Sequence, residues 1–210
     1  IVEGVLQERG YSVVICDCRS DEERECRAVQ FLLEKRVDAI LNMPVCSDGR
    51  HLLPALEKGR PIVLLDRPID ALEGQVSCVR IDNESAAALA VNRLLALGHR
   101  SIGILAGPRE VYTSRMRLKG CRDTLEAHGV EPREELAAFA DYTVEGGYRQ
   151  AARLLREVPD MTALFVSNYE MTLGARIALN KAGLSVPHDV SLIGFDDMDM
   201  TKAIFPDTTL

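Results

Sequence analysis

The sequence predicts an α/β fold made of two doubly wound parallel-sheet lobes, and three observations lead there. Short apolar runs rich in β-branched residues recur along the chain, amphipathic helical patterns separate them, and the interiors of the runs are nearly continuous rather than alternating in polarity. A strand covered by helices on both faces has no solvent side on which to place polar residues, so an unbroken apolar interior is the mark of a parallel sheet. The runs are 12–16, 39–43, 62–65, 76–81, 102–105, 163–166 and 191–195. Together they are too many strands for one sheet in a compact domain, so two lobes are expected.

Taken in order, the chain opens on a helical pattern from Ile1 to Glu8 that stops at Gly10 with no strand before it. A parallel lobe wants a strand there, so the first strand of the N-terminal lobe is expected to be missing and the chain to be a piece of a longer protein. After the run at 12–16, Ser20-Asp21-Glu22-Glu23 reads as a capping box, and Val29, Leu32 and Leu33 form the apolar stripe of the helix it opens. The runs at 39–43, 62–65 and 76–81 complete the first lobe, 1–81, and the chain crosses near Arg80 to Asn83 without a Pro/Gly/Ser-rich linker. The second lobe, 82–207, starts with a helix from about Glu84 to Leu97 that turns Ala87, Val91, Leu94 and Leu95 inward. Gly98 is placed to take the left-handed conformation past its end. Leu118, Cys121 and Leu125 before Gly129 mark another helix, Tyr148, Ala151 and Leu155 a further one, and Asn168 caps a last one ending at Gly183. Residues 208–210 would start a crossover back to the first lobe.

Composition removes several classes of function. With 47% hydrophobic and 27% charged residues the chain can build a sizeable core, yet no apolar stretch reaches the roughly 20 residues of a membrane helix. No basic segment leads into an apolar one at the start, so a cytoplasmic protein is expected. The formal net charge is -7 and no basic cluster exceeds a pair such as Lys35-Arg36, so this chain offers a phosphate backbone no footprint of its own. Cys16, Cys18, Cys26, Cys46, Cys78 and Cys121 lie in or beside apolar segments without the paired spacing of a zinc site. Grouping Cys16 and Cys18 with Cys26 as soft-metal ligands leaves two thiols on one face with no histidine close by, so neither a metal nor a cofactor is expected. GxGxxG, Walker, GxSxG and HExxH motifs are all absent. His51, His99, His128 and His188 sit by helix termini, where capping roles prevail over acid-base work, and adjacent carboxylates such as Asp196-Asp197 point apart. No enzyme activity is expected.

Ligands of open α/β sheets bind outside the carboxyl ends of the strands, where loops and helix N-termini converge. The residues at those ends are Asp17, Asn42, Asp66, Asp82, Asp141, Asn168 and Asp196, nearly all acceptors for a polar ligand. The competing role for each is to cap the following helix. Thr113 and Arg117 open the helix after the 102–105 run, and a guanidinium offers paired donors to hydroxyls or a carboxylate, although Arg115 and Arg122 lie on the same helix. Tyr142 supplies an aromatic platform. Fork, carboxylates and ring together describe a site for a small polar molecule.

Several blocks then fall in a telling order: Glu34-Lys35-Arg36-Val37-Asp38-Ala39-Ile40, Pro61 to Pro68 with Leu65-Asp66-Arg67, Asp82-Asn83-Glu84, and Leu97-Gly98-His99-Arg100-Ser101-Ile102-Gly103. After them come Thr113 to Gly120, Ser167-Asn168, Val186-Pro187-His188-Asp189 and Gly194-Phe195-Asp196-Asp197, with Thr208-Thr209-Leu210 last. This series resembles the LacI/GalR family of transcription regulators, whose effector-binding core has the periplasmic-binding-protein-like fold of type I. The resemblance implies ligand contact for Asp66, Thr113, Arg117, Tyr142, Asn168 and Asp196. It also implies a small-molecule effector (a sugar, sugar phosphate or nucleoside-like compound) clamped between two lobes, a homodimer, and operator DNA bound through a headpiece absent from this chain. Tyr169 departs from the pattern, standing where an aspartate commonly follows the asparagine. The other reading is a periplasmic sugar-binding protein of a transport system, against which the abundance of free cysteines weighs.

Overall fold

The computed structural model describes residues 2–196. Asp197, and residues 208–210 with the crossover expected there, lie outside the described residues. The chain divides into two compact units, Ile1–Arg80 and Ile81–Leu210. No helix among the described residues is long and apolar enough to cross a membrane.

The first unit comprises α1 (Val2–Gln7), α2 (Glu22–Glu34), β1 (Ile40–Asn42), a 3₁₀ turn (Arg50–Leu52) running into α3 (Leu53–Glu57), β2 (Ile62–Leu65), a second 3₁₀ turn (Asp70–Leu72) and β3 (Ser77–Val79). Its sheet has the order β1-β2-β3, with both pairs parallel and Ile40 opposite Ile62 and Leu64 opposite Cys78. Val29 of α2, Leu52, Ala55, Ile69 and Leu72 close over Ile40, Ile62 and Leu64 to make its core. The sequence misleads here in two places. Residues 12–16 form no strand: Val13, Val14 and Ile15 are exposed, Ile15 by 81%. β-branched composition expresses a fit to a pleated, half-buried surface, and no described strand runs beside this segment to supply one. The capping box also fails, because Ser20 has a left-handed backbone (φ 55°) and Asp21 is the cap, its Oδ1 accepting from the Arg24 amide at 2.8 Å. Within this unit Glu25 is buried in the first turns of α2 and accepts from Asn42 Nδ2 (2.9 Å), the Val45 amide (3.0 Å) and the Cys46 amide (2.6 Å). The carboxylate thereby ties α2 to the loop after β1.

The second unit comprises α4 (Asn83–Ala96), β4 (Ile102–Ala106), α5 (Tyr112–Ala127), a 3₁₀ turn (Glu134–Leu136), β5 (Ala137–Phe139), α6 (Val144–Glu157), β6 (Ala163–Val166), α7 (Tyr169–Lys181) and β7 (Ser191–Gly194). The order β5-β4-β6-β7 is parallel throughout, with Ile104 opposite Phe165 and Phe165 opposite Ile193. The short β5 lacks a strong apolar run, so the sequence shows no run for it and marks only its carboxyl end, through Asp141. Every residue of β4 and β6 is buried, and the two faces separate by the two-residue period of a strand. Ala163 and Phe165 pack with Ile102, Ile104, Val91, Leu94 and Cys121 under α4 and α5. Leu164 and Val166 pack with Leu105, Leu154, Met171 and Leu179 under α6 and α7. Helices on both faces make this unit doubly wound. At the amino ends of the strands His99 bridges β6 and β7, its two ring nitrogens 2.9 Å from Thr162 Oγ1 and Ser191 Oγ. Burial pushes its imidazole below the ordinary value and favours the neutral ring.

Small residues set how closely the helices approach. A Cβ on Gly147 would lie 2.5 Å from the Met171 Cα, and one on Gly174 would meet the Val144 carbonyl and lie 2.5 Å from the Tyr148 amide nitrogen. Both neighbours are backbone, so α6 and α7 would have to part to admit a methyl group. Gly174→Ala is therefore expected to destabilise the chain by about 1–3 kcal/mol, as overpacking does, read as a lower urea midpoint; an unchanged midpoint would show that these helices separate at no cost.

Candidate functional site

At the carboxyl ends of β4, β6 and β7 the second unit gathers most of the predicted ligand set around one side chain. Arg117, in the second turn of α5, is only 6% exposed. Its Nε donates to Asn83 Oδ1 at 2.8 Å, Nη1 donates to the Ser167 carbonyl at 2.5 Å, and its guanidinium carbon lies 3.6 Å from the centre of the Phe195 ring. A planar, always-charged fork suits this place: it satisfies acceptors along its edges while its face stacks on an aromatic ring. Ser167 immediately precedes Asn168, and Phe195 immediately precedes Asp196. Arg117 thus fixes the two strand ends from which those candidates project.

The remaining members are held by local backbone chemistry. Asn168 is the N-cap of α7, its Oδ1 accepting from the Met171 amide at 3.0 Å, which leaves Nδ2 as its donor. Capping therefore occupies one atom of the amide and leaves the other available. Asp196 is exposed with a left-handed φ of 75° and Tyr142 has φ 62°. That conformation is ordinary for aspartate and uncommon for a bulky residue, so the Tyr142 turn is fixed by its surroundings. Gly107 explains it: a Cβ there would run into the Tyr142 ring, so glycine at the end of β4 lets the ring lie across that strand. The Tyr142 hydroxyl then comes 3.3 Å from Oγ1 of Thr113, which is buried in the first turn of α5. Asp66 belongs to the first unit, where it follows β2 with φ 68° and half-buried, its carboxylate 3.7 Å from Arg67 Nε.

Other strand-end residues take structural parts. Asp82 caps α4 through the Ser85 amide (3.0 Å), and Asp141 accepts from the Thr143 hydroxyl (2.7 Å). The Thr143 hydrogen bond holds the Asp141 carboxyl below its ordinary value despite a small opposing effect of burial. Asn42 donates to Glu25, and Asp17 sits beside Arg19 in the unpaired segment. Arg115 and Arg122 are accounted for elsewhere, by the Glu110 carbonyl (2.6 Å) and Glu134 (2.6 Å). Sequence reasoning missed Asn83 and Phe195 as the partners that orient Arg117. A buried asparagine in the first turn of a helix, next to a residue already suited to be the cap, was the available signal.

The site therefore offers a fixed guanidinium, an amide donor, two hydroxyls, an aromatic face and an exposed carboxylate, all suited to a small polyhydroxy molecule. Replacing Arg117 by methionine leaves the Asn83 and Ser167 oxygens without their charged donor. The loss is expected to be about 1.5–3 kcal/mol for each such hydrogen bond, while Arg115→Met on the exposed face of the same helix should stay within about 0.5 kcal/mol. Equal effects in chemical denaturation would contradict the assignment of Arg117 as the buried anchor.

Comparison with known proteins bears on what such a site belongs to. The profile of the family described as periplasmic binding proteins and sugar binding domain of LacI family matches residues 2–210. The HTH-type transcriptional regulator CelR of Thermobifida fusca is 36% identical over 214 residues, a match covering 100% of this chain and 62% of that protein. The HTH-type transcriptional repressor CytR of Escherichia coli (strain K12) is 33% identical over 213 residues, covering 99% of this chain and 60% of that one. A solved structure of a transcriptional regulator CelR-cellobiose complex superposes with a TM-score of 0.87 at 34% identity, over 99% of this chain and 63% of its own. The chain spans about three fifths of the length of the curated relatives it matches. With its parallel sheets, the polar groups at their carboxyl ends and a family match along nearly its whole length, this chain belongs to the LacI family of periplasmic-binding-protein-like, sugar-binding domains.

Proposed function

We propose that this chain is the effector-sensing part of a LacI-type transcription regulator and that it does no chemistry on its ligand. The observation that carries the reading is Arg117: a buried cation fixed by Asn83, Ser167 and Phe195 holds the Asn168 and Asp196 strand ends in register before any ligand arrives. Preorganised polar groups bind without a further ordering cost, which is what a receptor needs. Within the second unit, Arg117 and Asn168 donate, Asp196 accepts, and Thr113 and Tyr142 do either. Paired donors and carboxylate acceptors match the vicinal hydroxyls of a sugar, and the Tyr142 ring matches the apolar face of a pyranose.

Sugars, sugar phosphates and nucleoside-like compounds are the effector classes, with a β-linked glucose disaccharide first among them because a 36%-identical relative is the regulator CelR and a CelR structure is a complex with cellobiose. Effector binding would bias an equilibrium between two arrangements of a homodimer. A headpiece outside this chain would read the operator, in the cytoplasm. The net charge of -7 agrees with leaving DNA contact to that other segment.

Cellobiose, ribose and cytidine tested by thermal shift should separate the classes. A ligand at about 100 times its dissociation constant adds roughly 2.7 kcal/mol of apparent stability. The compound that does so should lose at least ~10-fold in affinity with Asp196→Asn, a substitution on an exposed side chain that leaves the core untouched. Undiminished binding to Asp196→Asn would remove the carboxyl end of β7 from the site, and turnover of the bound compound would contradict a pure receptor.

A further inference from the structure

A second gathering of capable groups lies in the first unit, away from the sheet ends that carry the ligand set. Glu25 on α2, Cys46 in the loop after β1 and His51 in the 3₁₀ turn each present one ligand-type atom, and these atoms all lie within 4.8 Å of one another. Cys26, next to Glu25 on α2, adds a fourth, its Sγ 4.0 Å from Cys46 Sγ. His51 Nε2 is 3.3 Å from Glu25 Oε1, with the two side chains 3% and 2% exposed. Despite that burial, neither ring nitrogen of His51 makes a hydrogen bond of acceptable geometry with any described residue. A buried polar atom left without a partner costs about 1–3 kcal/mol, so an imidazole whose Nδ1 has no partner among the described residues and whose Nε2 meets only a poorly aligned carboxylate calls for something to meet it.

Geometry and chemistry agree on what that is. Four ligands bound at 2.0–2.3 Å around a tetrahedral centre lie about 3.3–3.8 Å apart. The nitrogen–oxygen separation of 3.3 Å and the sulfur–sulfur separation of 4.0 Å are close to those edges, and the Glu25, Cys46 and His51 atoms, all within 4.8 Å of one another, need only small shifts to reach them. We propose that Glu25, Cys26, Cys46 and His51 form a binding site for a divalent cation of the zinc class. Two sulfurs, one imidazole and one carboxylate are a borderline-soft set, which argues against magnesium and calcium, whose shells are built from oxygen. The carboxylate is already oriented by Asn42 Nδ2 and the amides of Val45 and Cys46, the outer support that metal ligands require. An entry path exists, because Cys26 is exposed and a depression of about 1080 Å³ is lined by Cys26, Cys46 and His51 together with Glu22, Glu23 and Asp48. Binding replaces the two thiol protons by the cation and releases them to solvent, with no change of oxidation state. It would fasten the start of α2 to the loop and turn between β1 and α3.

The cysteine spacing in the sequence points the other way because it groups Cys26 with Cys16 and Cys18. The fold instead brings Cys26 to Cys46, twenty residues on, and supplies the missing histidine.

The test uses the full chain, reduced with a non-chelating phosphine, freed of metal and titrated with Co²⁺ and then Zn²⁺. One equivalent of Co²⁺ should produce thiolate-to-cobalt charge-transfer absorption with the visible bands of a tetrahedral site, and Zn²⁺ should bleach both. Cys26→Ser, on an exposed residue, and His51→Gln should each weaken Co²⁺ binding by at least ~10-fold, the lower range seen even for outer-shell losses. Absence of the charge-transfer band in the reduced chain overturns the proposal. So does a band of undiminished affinity in folded Cys26→Ser, which would assign the metal to other thiols.

Discussion

Arg117 carries a charge that the protein has almost wholly removed from water, and the second unit is arranged to make that tolerable. A buried cation is costly unless its donors are occupied, so Asn83 is turned inward from α4, the Ser167 carbonyl is aimed across the end of β6, and Phe195 lies beneath the guanidinium plane. Each partner belongs to a different element. Satisfying one side chain therefore sets the positions of α4, α5, β6 and β7 together, and the residues that follow Ser167 and Phe195 are the two candidates for ligand contact.

Much of this was legible in the sequence, and the legible parts share a physical reason. Strands β4, β6 and β7 announce themselves because both of their faces are covered, leaving no polar residue to break the apolar run. Asn168 and Gly98 are visible because caps need particular side-chain oxygens and particular backbone freedom, and Gly98 does take a φ of 91°. The candidate residues Thr113, Arg117, Tyr142, Asn168 and Asp196 follow from the rule that places ligands at carboxyl ends of strands, reinforced by the family resemblance.

What was illegible depends on contacts distant in sequence. The run at 12–16 has strand composition without a neighbouring strand, and composition cannot report a missing partner. Asn83 reads as a helix-start residue until Arg117, thirty-four positions later, is seen against it. Tyr142 needs Gly107 to make room for its ring, and β5 is too short and too mixed to stand out. Glu25 looks like any acidic residue in a first helical turn, favoured there by the helix dipole, yet it is 1% exposed and organises the loop after β1. Glu25 thus serves the wiring of the first unit, whereas Asn168 in the second keeps its Nδ2 to spare at a sheet end.

If Arg117 organises the second unit, its guanidinium is fixed in place before a ligand binds. The Arg117 Nε–Hε resonance in a ¹⁵N-labelled sample of the unliganded chain tests it most directly, because a donor held at 2.8 Å from Asn83 Oδ1 and shielded from solvent exchanges slowly. The account predicts a sharp, slowly exchanging Arg117 signal at neutral pH that Asn83→Ala abolishes. A signal lost to rapid exchange in the unsubstituted chain would mean that Arg117 is mobile and solvated, and that the site is built only when its ligand arrives.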